Sequence, residues 1–417
     1  MRGWMGLVGG VLLALGGAAA EAAERIDLWV NADAPQLRGA NLYQRRVYPE
    51  LDGPEFLGPG PFGPPVEAGD LAGLAAAGAN LVVLSHPGIF TEGAPYRLDG
   101  DALANLDRLV EMATAADLFV VIAFRTGPGR SEFAILPDGA GVWYDPGLLD
   151  TSVWGDAAAQ DGWVAMWAAA AEHFRGHPAV IGYELMVEPN SNHIGADAEN
   201  GALDIWDPAA FEAAHAGSLY DWNQLHPRIL AAIRAVDPDT PVLIGGNGYS
   251  GGAWLPFVAV GADANTVYTF HEYQPFAYTH QEPGMAIAYP GRIDADWDGQ
   301  DDPFDAALLE RLLQPARLFA SRTLRPVAVT EFGAVRWAPG VERFLSDRIA
   351  RFEDNRLNWA LWGWPVAWPP MAAGDNAFSL GFGPDPAATG PAATAPGFDA
   401  LRQAWSLNAA RPSNTPF

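Results

Sequence analysis

Short runs of consecutive apolar residues alternate along the chain with longer stretches in which apolar positions recur every three or four residues. Leu81-Val82-Val83-Leu84 and Phe119-Val120-Val121-Ile122 are unbroken, as strands covered on both faces must be. Eight strands are predicted on this basis: Leu37–Leu42, Ala79–Ser85, Leu118–Arg125, Ala179–Met186, Pro241–Gly246, Thr266–Tyr273, Pro326–Glu331 and Asn358–Trp362. Between them, amphipathic patterning predicts helices at Asp101–Ala116, Asp161–Arg175, Asp221–Val236, Phe304–Arg322 and Val341–Glu353. Strand–helix alternation repeated eight times points to an α/β fold, the closed (β/α)8 TIM barrel. The competing architecture, a doubly wound open sheet, would carry a glycine-rich phosphate loop after its first strand. None follows Leu42.

The connections are uneven. Long segments follow strand ends at Thr126–Gln160, Asn190–Ser218 and Gln274–Pro303, and they carry Trp143, Tyr144, Trp154, Trp206, Phe276, Tyr278 and Trp297. In a barrel these loops lie on the C-terminal face, where active sites are built. Their aromatic rings either stack on pyranose rings or pack the long loops that carry them.

Composition narrows the picture. The chain has 417 residues, 49% of them hydrophobic and 18% charged, and no serine- or proline-rich linker divides it. Residues 24–417 are therefore expected to form a single barrel domain with enlarged loops. Arg2, the apolar run Gly6–Leu15 and Ala18-Ala19-Ala20 read as an export signal over residues 1–23, cleaved after Ala20 or Ala23. The run is shorter than the ~20 residues a membrane span needs. The expectation is a secreted or periplasmic monomer with no membrane insertion after cleavage. Without cysteine, it must be stable without disulfides. The net charge is −26, and every one of the 24 basic residues is Arg. Such a surface repels nucleic acid and anionic membranes, and tilts the choice of partner towards a neutral oligo- or polysaccharide.

Two strand ends carry candidate chemistry. Ile181-Gly182-Tyr183-Glu184-Leu185-Met186-Val187-Glu188-Pro189-Asn190 ends the fourth strand, and Pro326-Val327-Ala328-Val329-Thr330-Glu331-Phe332-Gly333 ends the seventh. Glutamates at these ends converge at the barrel mouth, and glycoside cleavage needs two carboxyls flanking the scissile bond.

At these residues the chain resembles glycoside hydrolase family 5 and its relatives of cellulase and mannanase type. Leu37-Arg38-Gly39-Ala40-Asn41-Leu42 is similar to the family's opening strand, and Phe174–Leu185 to the approach to its acid/base. His271-Glu272-Tyr273 matches a His-x-Tyr on strand six, Val329–Gly333 the nucleophile strand, and Trp362 the tryptophan of strand eight. The resemblance implies a retaining glycoside hydrolase. It would cleave O-glycosidic bonds of a neutral β-linked glycan, of glucan or mannan type, by double displacement, with Glu188 as general acid/base and Glu331 as nucleophile. Exo-acting β-glucosidase or β-mannosidase activity, transglycosylation and a non-hydrolytic carbohydrate-binding barrel are the alternatives. In this reading Tyr273 keeps Glu331 ionised, while Glu188 holds its proton with a raised pKa. His271 binds the sugar or the acid/base, and Trp362 floors the sugar, with Trp364 in that place if the register slips. Arg38 and Asn41 brace the barrel base or the nucleophile; Glu184 and Glu272 are structural.

The chain departs from the family pattern in three places. Val187 stands where the family has the Asn that reads the sugar 2-hydroxyl; Asn190 or a residue of the long following loop is expected to replace it, unless the sugar differs at C2. Strand three ends in Ala123-Phe124-Arg125 rather than near a His, and Arg125 is expected to face the site as a substrate-binding residue, orienting a sugar hydroxyl or a carboxylate. Strand two offers Val83-Leu84-Ser85-His86 in place of an Arg that braces the nucleophile, leaving that task to Arg38 or Arg125. No cofactor is required. Asp294, Asp296, Asp298 and Asp305 follow the spacing of a calcium loop, and would hold Ca2+ as a structural brace or form an acidic surface loop.

Overall fold

The computed structural model describes residues 24–30, 35–48, 51, 61–194, 203–295, 298–365, 376–415 and 417. The predicted export signal, Asp296 and Trp297 lie outside these residues. Eight parallel strands close into a barrel: β1 Arg38–Tyr43, β2 Leu81–Pro87, β3 Phe119–Thr126, β4 Val180–Glu184, β5 Val242–Gly245, β6 Thr266–Glu272, β7 Val327–Phe332 and β8 Asn358–Leu361. Each strand pairs with its sequence neighbours, and β8 returns to β1 through Arg38–Trp359, Gly39–Ala360 and Ala40–Leu361.

The unbroken apolar runs exist because each strand faces two cores. Leu81, Val83, Phe119, Val121, Ala123, Ile181, Leu243, Val267, Ala328 and Ala360 fill the barrel interior. Their alternate neighbours Val82, Leu84, Val120, Ile122, Phe124, Ile244 and Val329 pack outward against the helices. Interior crowding is tight enough that a Cβ on Gly39 would sit 1.8 Å from the carbonyl oxygen of Leu81.

The longer helices are α1 Ala68–Ala76, α2 Gly100–Ala115, α3 Ala157–Phe174, α4 Pro208–His215, α5 Trp222–Val236, α6 Ala306–Leu312, α7 Gln314–Thr323, α8 Val341–Asp354 and α9 Pro396–Trp405. The side chains of Asp99, Asp156, Asp207, Asp221 and Asp305 accept from first-turn N–H groups of α2 to α6, so part of the acidic excess does capping work. The single helix expected over Phe304–Arg322 is two, because Pro315 cannot donate a helical hydrogen bond and a second helix starts at Gln314. After β5 the crossover is only a 3-10 helix, Gly252–Phe257, with Pro256 inside it. Among the described residues no helix is long and apolar enough to cross a membrane.

The base of the barrel is sealed by Trp29, whose indole N–H donates to the carbonyl of Ile181 at 3.0 Å. Arg38 forms a two-pronged pair with Glu353, at 2.8 and 2.7 Å. It therefore braces the base. The possibility that Arg38 reaches the nucleophile is corrected by this geometry.

Candidate active site

Irregularities at the C-terminal ends of the strands aim the polar side chains. The β6–β7 register shifts between Phe270 and His271, which places His271 opposite Glu331. The β7–β8 register shifts between Val329 and Phe332. Such bulges re-aim side chains beside functional sites. Asn41 on β1 ties this region down by donating to the carbonyls of Thr330 at 2.7 Å and Leu361 at 3.2 Å. Beyond β4, Glu188 sits at φ +55°, a left-handed conformation that costs a non-glycine residue about 1–3 kcal/mol. Arg130 holds that turn by donating to the Glu188 carbonyl at 2.7 Å.

Glu188, His271 and Glu331 meet at the barrel mouth, with one ligand atom from each lying within 4.8 Å of the others. His271 Nδ1 is 3.0 Å from Glu188 Oε1 and 3.5 Å from Glu331 Oε2. Tyr273 donates its hydroxyl to Glu331 Oε2 at 3.0 Å. Glu184, buried one layer below, accepts from Thr330 Oγ1 at 2.9 Å and stands 3.6 Å from His271 Nε2. It lies beneath the imidazole that approaches both glutamates. Glu272 faces the other way, accepting from the Gln274 N–H at 3.0 Å and lying 3.6 Å from Arg348.

Charge in this cluster is distributed differently from the sequence-based expectation. Burial pushes the Glu331 carboxyl up to about 7, with the His271 charge pulling it down and Glu188 pushing it up. For Glu188, burial acts upward, but the His271 hydrogen bond and charge, with Arg125 and Arg130, outweigh it and draw the carboxyl below its ordinary value. His271 is raised well above its ordinary value; burial opposes its charge, and Glu331, Glu184 and Glu188 prevail. The expected raised pKa on Glu188 is not what this geometry favours: the His271 hydrogen bond and charge hold its carboxyl below the ordinary value.

One wall of the site was only partly visible in the sequence. Arg125, at the end of β3, lies over the rings of Tyr43 and Trp362, at 4.9 and 5.2 Å from their centroids. It pairs with Glu132 at 3.1 Å, and Tyr43 donates to the same carboxylate oxygen at 2.7 Å. Its third contact is Ser85 Oγ at 3.5 Å, so the small residue on β2 leaves room for the large one on β3. Tyr43 and Glu132 belong to no motif, and only the fold brings them here. His86 turns outward to Asn105 at 3.0 Å.

Two residues expected to contact substrate are engaged elsewhere. Asn190 is fully buried and donates to the carbonyls of Ala134 at 2.7 Å and His193 at 3.2 Å, joining two loops instead of facing the cleft. Trp364 packs on Phe398 and Trp405 and donates to the Asp70 carbonyl at 2.9 Å; Trp362 is the residue beside Arg125. Among the loop aromatics, Tyr144, Trp154 and Tyr278 are buried, whereas Trp143, Trp206 and Phe276 are exposed. In the acidic loop, both carboxylate oxygens of Asp294 accept from backbone N–H groups, at Asp298 and Gly299. Asp305 caps α6 through one carboxylate oxygen, Oδ1.

The model of the family described as Cellulase (glycosyl hydrolase family 5) matches residues 60–367. The chain belongs to glycosyl hydrolase family 5. It is a glycoside hydrolase acting on β-linked glycans, with the closed barrel expected from its hydropathy pattern. Endoglucanase C of Acetivibrio thermocellus is 24% identical over 324 residues, spanning 71% of this chain and 82% of that protein. A β-xylosidase of Phanerodontia chrysosporium is 22% identical over 272 residues, spanning 64% of this chain and 49% of that one. The fold is shared with endoglucanase Cel5A of Thermotoga maritima, at a TM-score of 0.60 and 18% identity over 91% of this chain and 100% of that one. It is also shared with the cellulose synthase subunit Z of Clostridioides difficile, at a TM-score of 0.56 and 15% identity over 88% and 99%.

Proposed function

We propose that this family 5 member is an exported, monomeric endo-acting hydrolase of a neutral β-glucan or β-mannan, with Glu331 as nucleophile and Glu188 as acid/base. The observation that carries the assignment is the approach of the two carboxylates within 4.8 Å, bridged by His271. Inverting enzymes keep their carboxyls about 6.5–9.5 Å apart to admit a water, whereas retaining enzymes hold them at about 5 Å. Glu331 attacks the anomeric carbon as the glycosidic bond breaks, and Glu188 gives its proton to the departing oxygen. Water then attacks the glycosyl–Glu331 ester and returns a proton to Glu188.

The proton Glu188 delivers is the one held between it and His271. An ion pair is costly in a dry site. As glycan displaces water, transfer from Nδ1 to the carboxylate 3.0 Å away removes both charges at once. The working state has one proton on the Glu188–His271 pair and none on Glu331. Protonating Glu331 removes the nucleophile, so kcat/KM should fall as pH drops through about 7. Loss of the shared proton should set an alkaline limb well above ordinary histidine titration, because His271 is raised. His271→Asn should move the alkaline limb down while leaving an acidic one; a pH profile unchanged by this substitution would remove His271 from the proton inventory.

The function itself is tested by a panel of β-glucans, β-mannans and xylans, with 1H NMR of the first product. Internal cleavage of a glucan or mannan with the β-anomer released first is expected. First release of the α-anomer would mean inversion, and single sugars released from chain ends would mean exo action.

A further inference from the structure

Three lone-pair-bearing atoms converge at the barrel mouth. His271 Nδ1 faces Glu188 Oε1 at 3.0 Å and Glu331 Oε2 at 3.5 Å. Ionised carboxylates and a bare Nδ1 only accept, so such atoms hold together only around a positive charge. In the reaction that charge is the proton shared by Glu188 and His271. A divalent metal ion answers the same need. Two ligand atoms bound at about 2.1 Å and about 90–110° apart lie about 3.0–3.4 Å from each other, close to both distances from the imidazole. All three atoms lie within 4.8 Å of one another. The Glu188 side chain is 14% exposed, against 1% for His271 and 5% for Glu331. Glu188 therefore has the room to swing inward and close the set.

Two further observations prepare this cluster for an ion. Glu331 is buried, yet its Oε1 has no hydrogen-bond partner among the described residues. A buried lone pair left bare is costly, and a cation beside it relieves the cost. Beneath the ring, Glu184 Oε1 stands 3.6 Å from His271 Nε2. Metal-binding histidines turn their second ring nitrogen to a carboxylate, which fixes the tautomer and the ring plane. Here that tautomer puts the hydrogen on Nε2 and leaves the Nδ1 lone pair facing both glutamates. One imidazole and two carboxylates suit Zn2+, Co2+ or Ni2+, whereas Ca2+ and Mg2+ take oxygen ligands. Three protein ligands leave a coordination position open towards the cleft.

We propose that Glu188, His271 and Glu331 form a reversible site for a zinc-type divalent ion, and that the bound ion switches the enzyme off. Binding sends the shared proton to water and forms bonds from the metal to His271 Nδ1, Glu188 Oε1 and Glu331 Oε2. The lone pair that attacks the anomeric carbon and the oxygen that protonates the leaving group are then both engaged. Ion and glycan therefore compete for one place. Binding stands on the three side chains alone; the inhibition rests on Glu331 as nucleophile and Glu188 as acid/base.

In the test, chelator-treated protein is titrated with Zn2+ in a calorimeter and with Co2+ under visible absorption, while β-glycan hydrolysis is followed alongside. A single equivalent should bind, activity should fall roughly tenfold or more in step with occupancy, and EDTA should restore it. Ca2+ and Mg2+ should neither bind there nor inhibit. Glu184→Gln should weaken Zn2+ binding by about 10- to 100-fold. His271→Asn and Glu331→Ala should weaken it at least as much, read by calorimetry whatever their activity. His173→Asn, at a surface pair with Asp107, should change neither binding nor inhibition. Affinity unchanged in His271→Asn and Glu331→Ala would put the ion elsewhere, and absence of saturable binding would mean there is no site. Full activity with the equivalent bound would mean no block; each of these results overturns the proposal. A wild type that binds the ion yet cleaves no glycan would uphold the site and bring down the proposed reaction instead.

Discussion

Glu331→Ala should lower kcat on a β-glycan by about 10^4- to 10^6-fold, and added azide should restore part of the turnover, with an α-glycosyl azide as product. The argument starts from placement. Glu331 is buried at the barrel mouth with one oxygen taken by Tyr273 at 3.0 Å, while its other oxygen has no hydrogen-bond partner among the described residues. An unpartnered buried carboxylate oxygen is expensive for stability, and a nucleophile needs such a free lone pair. Removing the carboxylate opens a small anion-sized space on the face opposite the leaving group. Azide entering there attacks from the nucleophile's side and inverts the centre once, whereas the native enzyme inverts it twice. Hydrolysis that survives in Glu331→Ala without azide would reject the nucleophile assignment. Because the alanine leaves the β7 hydrogen bonds intact, an unchanged far-UV circular dichroism spectrum should accompany the loss.

The second large effect is expected at Glu188, with a different signature. Glu188→Ala should slow turnover of natural glycans by about 10^2- to 10^4-fold, the range for loss of general acid–base assistance. For a glycoside with a strongly acidic phenol as leaving group, glycosylation needs no proton, so the first step should proceed near the wild-type rate. Breakdown of the ester would still lack its base, so a burst of phenol followed by slow steady turnover is expected in stopped flow. Azide should rescue the second step and yield the β-glycosyl azide, the opposite anomer from Glu331→Ala. Identical anomers from the two variants would show that the roles have been misassigned. The electrostatics make the pair interdependent. Two ionised carboxylates within 4.8 Å of each other repel by about 3 kcal/mol or more at an effective dielectric of ~20, equivalent to at least roughly two pKa units. His271 offsets that repulsion, and the ester formed on Glu331 removes it during the reaction.

Much of this protein follows from local sequence, because the signals that set its framework are local. The two-sided burial of parallel strands forces continuous apolar runs, and all eight predicted strands form. Where the chain had a strong local constraint that the amphipathic pattern outvoted, the reading slipped: Pro315 divides one predicted helix into two. The strand-end glutamates, His271, Tyr273 and Trp362 were visible because the side of a strand and its C-terminal end are themselves written in the sequence.

What only the tertiary structure decided are the relations between strands and between loops. The bulges at Phe270/His271 and Val329/Phe332 set which residues face each other, and no sequence period encodes a register shift. The fate of Asn190 depended on the carbonyl of Ala134 in another loop, and that of Trp364 on α9. Arg125 gained its place because Ser85 is small and Glu132, seven residues on, folds back to meet it. The balance of charge in the cluster could not be read locally either, since it depends on distances among Glu184 on β4, Glu188 beyond it, His271 on β6 and Glu331 on β7. Sequence alone determined that two carboxylates would reach one barrel mouth; the packed structure decided that an imidazole lies between them.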